Sequence, residues 1–317
     1  VGKHPLAARY HLAEAQLKAN QLAPGRVNLE DLLKLIEVQQ AGDAQAKLVA
    51  DSRWSIINTY RMPNTSSQEL ERGIKAARDF LKAHTDDPRS VYAAWWIAQA
   101  NHRTGRSDDA IKAYNDFIAK KIHQLPGGDA LTATIAILGG TPAKLQDTWE
   151  KEALHQVAQI RFGQKKYKEA TAAFLSYISK YPDGPQWANC QRGIINGQYQ
   201  VAMDAVEAKE YAQARKLFEA FLTANPLDSR AARILFLFGQ IAYQDAVDLE
   251  AKQDDPKVAA NAKPTDDAVK AAYQKTLAEW QRLVSKYPGT EESSVALYRI
   301  GLIHEEKLAD LAAALAA

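Results

Sequence analysis

His304-Glu305-Glu306 is the nearest this chain comes to a zinc-peptidase sequence, and the second histidine that would complete HExxH on one helix face is missing. The other histidines, His4, His11, His84, His102, His123 and His155, are scattered without ligand spacing. Cys190 is the one cysteine, which excludes an intrachain disulfide and a thiolate cluster. With no histidine close in sequence to activate it, Cys190 reads as a small buried or half-buried side chain. Gly127-Gly128 and Gly139-Gly140 lack the flanking residues of a phosphate-binding loop, and there is no nucleophile elbow. Asp254-Asp255 and Asp266-Asp267 have the charge to hold a cation, but solvated loop carboxylates need no such role. No catalytic or metal-binding residue and no cofactor is assigned, and the expectation is a protein that is not an enzyme.

The bulk numbers narrow the partners. The 317 residues carry 40 basic and 38 acidic side chains in a mixed arrangement, for a formal net charge of +2. The densest basic cluster, Lys165, Lys166 and Lys168, is followed at once by Glu169, so nucleic acid has no electrostatic footprint to bind. No apolar run reaches the length of a membrane span. The sequence starts at Val1 rather than Met and stops at Ala317 within an Ala/Leu-rich helix, which reads as a fragment or processed form of a longer protein. That last helix (Leu311, Ala312, Ala313, Ala314, Leu315) is apolar where a terminal repeat would be polar, so it is expected to pack on a further domain or a second copy.

Helical periodicity organises the chain. The spacing predicts helices over Leu6–Gln21, Leu29–Gln40 with Asn28 as N-cap and Asp31 in a capping-box position, and Ala46–Arg61. Further helices are predicted over Gln68–Ala83, Ser90–Thr104, Ser107–Lys120, Leu145–Phe162 and Lys168–Lys180, and Leu131–Leu138 reads as a short helix in preference to an extended segment. Pro185–Ala208, Tyr211–Ala224, Asp228–Leu249 and Asp267–Lys286 follow, with a last helix from Thr290. The polar segment 251–266, with two prolines, reads as a loop insertion.

One pattern recurs on these helices: a small residue, an aromatic four later, and a proline eight after that. Its instances are Ala76/Phe80/Pro88, Ala170/Phe174/Pro182, Ala214/Phe218/Pro226 and Thr276/Trp280/Pro288, with Ala110/Tyr114 lacking the proline. Residues i and i+4 share a helix face, so the small one leaves room for a crossing helix and the aromatic fills the space beside it. Twelve residues before Ala110, Ala170 and Ala214 stand Ala98, Ala158 and Ala202, and Gly239 and Gly301 take that place in the last two opening helices.

On these residues, from about Trp54 to Ala317, the chain resembles the tetratricopeptide repeat family. Tyr181-Pro182 and Tyr287-Pro288, followed by opening helices longer than the family norm, are similar to elongated repeats of bacterial envelope proteins that serve outer-membrane assembly. The resemblance implies an all-α fold, a right-handed superhelical solenoid of antiparallel helical hairpins. It implies one solenoid over 1–317, with 1–62 as poorly matching N-terminal helices and 68–317 as repeats.

The implied function is a non-catalytic scaffold, periplasmic or otherwise extracytoplasmic, that binds a protein or peptide partner on the concave face of its opening helices. The residues implied there are Trp95, Gln99 and His102, then His155, Gln159 and Phe162, then Tyr199 and Met203. Phe236, Gln240 and Tyr243 follow, with Tyr298 and Leu302 in the last helix. Trp96, Phe174, Phe218, Phe221 and Trp280 are assigned to the core. Chaperone-docking relatives clamp a terminal carboxylate with Lys and Asn at positions that here hold Trp95, Gln99, His155, Gln159, Tyr199 and Met203, so that mode is not expected. Two alternatives stay open. One is the helical front of a secreted multidomain protein, such as an α2-macroglobulin-like protease trap or a murein-processing enzyme. The other is a cytoplasmic ligand-sensing regulator.

Overall fold

The computed structural model describes residues 5–39 and 45–316; Gln40, His4 and Ala317, named above, lie outside them. Among the described residues there is no strand, and fifteen α-helices carry the fold. The first are α1 (Pro5–Lys18), α2 (Leu22–Val38), α3 (Ala46–Thr59), α4 (Ser67–Ala83), α5 (Arg89–Arg103) and α6 (Ser107–Ala119). After a 3-10 turn at Ile122–Gln124 come α7 (Gly128–Ile137), α8 (Pro142–Gly163), α9 (Tyr167–Lys180), α10 (Trp187–Glu207) and α11 (Tyr211–Ala224). The last are α12 (Ala231–Asp254), α13 (Asp266–Lys286), α14 (Glu291–Glu306) and the short α15 (Leu311–Ala316).

The chain forms two compact units, Val1–Ile194 and Ile195–Ala317, whose division falls within α10. In the first, successive helices pack as pairs from α1 to α6, and α6 then packs on α8 and α8 on α9. In the second, α11 packs on α12, α12 on α13, α13 on α14 and α14 on α15, and α12 also touches α14. Short connections between packed neighbours make these antiparallel hairpins, so the chain is an all-α, TPR-like array.

The recurring small/aromatic pair does what its spacing implies. Tyr114, Phe174, Phe218 and Trp280 are fully buried, as are Ala110, Ala170, Ala214 and Thr276 four residues before them. Each ring removed from water contributes about 1.5–3 kcal/mol. The first hairpin departs from the pattern. Phe80 is buried but Ala76 is only half-buried, and the close approach falls at Gly73, where a Cβ would sit 2.7 Å from Met62 Sδ.

Helix ends repeat as well. Gly105 donates its N–H to His102 O and Arg106 donates to Asn101 O; Lys165/Phe162 with Lys166/Arg161, and Lys209/Val206 with Glu210/Ala205, make the same two bonds. That is a Schellman ending, which requires a left-handed residue. Gly105 (φ 75°), Lys165 (φ 60°) and Lys209 (φ 60°) supply it at the same offset before Ala110, Ala170 and Ala214.

A second device joins repeats. Asp87 Oδ1 accepts from Arg89 N at 2.9 Å and from Arg89 Nε at 2.8 Å, and Asp228 receives the same two bonds from Arg230 at 2.9 and 2.8 Å. Each arginine then reaches back to the preceding opening helix. Arg89 donates to Asp51 at 2.8 Å with Trp54 beneath it at 5.9 Å; Arg230 donates to Asn196 at 3.0 Å with Tyr199 beneath it at 4.6 Å.

Several predicted boundaries move; α1 ends at Lys18 rather than Gln21, α7 starts at Gly128 rather than Leu131, and α12 starts at Ala231 rather than Asp228. Helix α2 starts at Leu22, not after Asn28, because Pro24 sits in the first turn, where a missing N–H costs nothing. Asn28 is mid-helix and donates to Gln16 at 2.6 Å. Helix α8 likewise begins at Pro142, three residues before Leu145. Helix α12 runs to Asp254, so the predicted insertion shrinks to residues 255–265, with a 3-10 turn at Ala260–Ala262. There Thr265 caps α13 by accepting from Ala268 N at 3.2 Å, and Asp266 and Asp267 fill its first turn, where carboxylates suit the helix dipole.

Candidate functional site

The sequence-predicted face resolves into three kinds of side chain. Trp95, expected to face outwards, is 8% exposed and lies among Tyr114, Phe117 and Trp149 with centroids 5.4, 4.9 and 6.0 Å away. Its neighbour Trp96, expected in the core, is half-buried and stacks on Trp54 at 5.0 Å. Adjacent residues on a helix point about 100° apart, and α5 is covered on two sides, so both rings find partners. His155 also turns inwards, beside Phe174 and Tyr177 at 6.4 Å each, and Phe236 is 4% exposed and stacked on Trp280 at 6.0 Å.

A second group is half-buried on core edges. Phe162 packs edge-on against Tyr167 at 5.1 Å, and Tyr199 sits beside Phe218 at 5.7 Å and below Arg230. Met203 joins the same core as Tyr199, and Gln99, His102 and Gln240 are half-buried polar positions. Gln159 is exposed, its amide 3.3 Å from His155 Nε2. Burial holds His155 and His102 below the usual imidazole range, so both are set neutral.

The third group converges. Tyr243 of α12 with Tyr298 and Leu302 of α14 line one cleft of about 360 Å³ in the second unit, together with Trp280, Arg299, Ile303, Glu306 and Lys307. Trp280 is its fully buried floor, locked by an Nε1–H bond to Phe236 O at 3.2 Å and stacked against Tyr243 at 6.0 Å. Gly239 allows that ring its place, since a Cβ there would fall 2.1 Å from Trp280 Cδ1. Tyr298 is 68% exposed, an aromatic surface with water on most sides.

Charge around the cleft is arranged rather than scattered. Arg299 lies over Phe236 at 5.5 Å and Trp280 at 5.7 Å. Lys307 Nζ donates to both oxygens of Glu250 at 3.0 and 2.9 Å, and the Tyr273 hydroxyl donates to the same carboxylate at 2.5 Å. The Tyr273 hydroxyl, then Lys307, hold Glu250 below the usual carboxylate range, and Glu250 in turn pushes Lys307 up. Among the described residues of this unit, Arg299 and Glu306 have no ion-pair partner within 4.0 Å. Sequence reading missed Arg299, Glu306 and Lys307. Their signal was the strip Tyr298, Leu302, Glu305/Glu306 on α14, one turn apart and flanked by Arg299 and Ile303.

Cys190 is fully buried, and burial pushes its thiol up to about 11, far from a reactive thiolate. Among the described residues no three His, Cys, Asp or Glu side chains gather as metal ligands would, and no helix is long and apolar enough to cross a membrane. A larger cleft in the first unit is bordered by Glu150 and Lys180, which pair with each other, and by Asp147, which pairs with Lys151 at 2.5 Å.

Comparison with known proteins returns two families. Residues 147–316, more than half of the chain, match the YfiO family, described as outer membrane lipoprotein, and residues 66–124 match a tetratricopeptide repeat family. A tetratricopeptide repeat protein from Parabacteroides merdae aligns over 98% of both chains at 12% identity with a TM-score of 0.38. Kinesin light chain TPR-like repeats from Podospora anserina align over 72% of this chain and 100% of theirs, at 12% identity and a TM-score of 0.35. Pseudomonas aeruginosa pilF aligns over 92% of this chain and 95% of its own, at 13% identity and a TM-score of 0.29. No curated protein sequence matches the chain.

Proposed function

The chain belongs to the YfiO family of outer membrane lipoproteins, and from that premise we propose that it is a non-catalytic scaffold of a bacterial envelope, holding a segment of a partner protein outside the cytoplasm. The observation that carries this reading is the α12–α14 cleft. Three of the residues that the repeat pattern assigns to partner binding, Tyr243, Tyr298 and Leu302, meet there over a rigid aromatic floor. Rigid rings and an aliphatic side chain in a shallow recess favour a few anchoring side chains of an extended chain. Gln99, His102 and Gln159 of the first unit and Met203 of the second are proposed as weaker contacts, each within its own unit. The exposed side chains of Leu311 and Leu315 (64% and 91%) suit a second contact, with a further domain or a second copy. Sedimentation across a hundredfold range of concentration tests the second copy.

A photo-reactive phenylalanine placed at Tyr298 or Leu302 is expected to cross-link a partner protein in envelope extracts. The same probe at Leu175, 45% exposed on the closing helix α9, is expected to cross-link nothing. Equal labelling at all three positions, or none at Tyr298 and Leu302, would overturn the assignment.

A further inference from the structure

Resting on that scaffold reading, we propose that the α12–α14 cleft selects an extended segment in which a carboxylate and a cationic group stand three residues apart with an apolar side chain between them. Arg299 and Glu306 are seven residues apart on α14, about 10 Å along the axis at 1.5 Å per residue. In the polyproline II form of an extended chain the rise is about 3.1 Å per residue with three residues per turn, so residues three apart share a face and lie about 9 Å apart. Between the two charges Leu302 and Tyr243 line the cleft and offer an apolar seat.

Three other cations of the second unit are held in ion pairs. Arg215 pairs with Glu279, Arg230 with Asp228 and Lys307 with Glu250. Lys307 follows Glu306 directly, but its hydrogen bonds go to both oxygens of Glu250, and Glu306 is a lesser charge neighbour of it. The Arg299 guanidinium rests on Phe236 and Trp280, which fixes its position while leaving its N–H groups for a planar acceptor. A single acidic ligand would meet Glu306, and a single basic one would meet Arg299. Only a segment with both signs, correctly spaced, satisfies the two ends together.

The test uses a fluorescein-labelled, N-acetylated and C-amidated hexapeptide, Gly-Asp-Leu-Gly-Lys-Gly, titrated with the full chain at low salt and read by anisotropy. Saturable binding is expected, weakened at least tenfold when the peptide Asp and Lys become Asn and Gln, and likewise by Arg299→Glu. The Arg299→Glu variant should regain affinity for a peptide whose Asp is replaced by Lys. Thermal melts of each variant exclude unfolding as the cause. Equal binding of the neutral peptide, or of one with Asp and Lys adjacent, would overturn the charge spacing. If that neutral binding were abolished by Leu302→Asp, the scaffold reading would stand while this inference fell. No binding by any of the peptides would overturn the inference too, with cross-linking at Tyr298 reporting separately on the scaffold.

Discussion

Gly239 shows how one missing methyl group shapes the cleft. Replacing it with Ala should add helix propensity worth about 1 kcal/mol in an open position. Here the new Cβ would fall 2.1 Å from two ring atoms of Trp280, a side chain fully buried and tied through Nε1 to Phe236 O. The ring cannot swing aside without losing that bond and its stacking on Phe236 and Tyr243. Overpacking therefore outweighs propensity, and Gly239→Ala is expected to destabilise the second unit by about 1–3 kcal/mol. The control is Gly163→Ala at the end of α8, where no atom lies within 4 Å of a built Cβ; it should be neutral or mildly stabilising. Urea denaturation followed by Trp fluorescence measures both. A Gly239→Ala protein as stable as the parent would mean that Trp280 is not locked, and with it the floor on which Tyr243 and Arg299 rest.

At the scale of elements, equivalent helix ends use unequal residues. Gly105 adopts the left-handed conformation without penalty, whereas Lys165 and Lys209 adopt it against a cost of roughly 1–2 kcal/mol for an L side chain. Lys209→Gly should thus stabilise the turn between α10 and α11 by up to about 1 kcal/mol, less than the full strain because Gly loses more chain entropy on folding. Gly105→Ala should cost about 1 kcal/mol, and purely through the backbone, since nothing stands within 4 Å of its Cβ position. Denaturation midpoints that shift in the opposite directions would refute the shared ending. This ending could not be read from Lys165 or Lys209, because lysine is not a left-handed former; only alignment with Gly105 reveals it. The Ala/aromatic pairs were readable because their spacing encodes one buried stripe per helix. Trp95 was placed on the outer face because a helix covered on two sides buries adjacent residues alike, and periodicity cannot tell which side a partner will use. Arg299 escaped because its role depends on rings of α12 and α13, brought close only by folding. The Asp87/Arg89 and Asp228/Arg230 joints escaped for the same reason, since each needs Asp51 or Asn196 from the helix before.

Across the whole molecule, the two units should part company as pH falls. In the first, burial lowers the imidazole pKa of His84, His102 and His155, and the Arg53 charge adds to the effect at His84. A base with a depressed folded pKa stays neutral in the fold while the unfolded chain takes up protons, so stability begins to fall below about pH 6.5, the free imidazole value. In the second unit the perturbed acids are Asp228, lowered by its hydrogen bonds from Arg230, and Glu250, lowered by Tyr273 and Lys307. Carboxylates with depressed folded pKa values contribute stability that is complete above their unfolded values, about 4, and is lost only as pH falls through the folded ones. Between pH 6.5 and 5, loss of protection from amide exchange, corrected for intrinsic rates, should therefore appear in α5 and α8 while α12, α13 and α14 keep theirs. Below about pH 4 the second unit should follow, and Asp228→Asn should flatten its acid response while lowering its stability at neutral pH. His155→Gln is expected to blunt the earlier loss in α8 alone. Protection that declines in step in both units from neutral pH downwards would show that the buried histidines do not set the first stage. The cleft between α12 and α14 would then lose its footing at mildly acid pH.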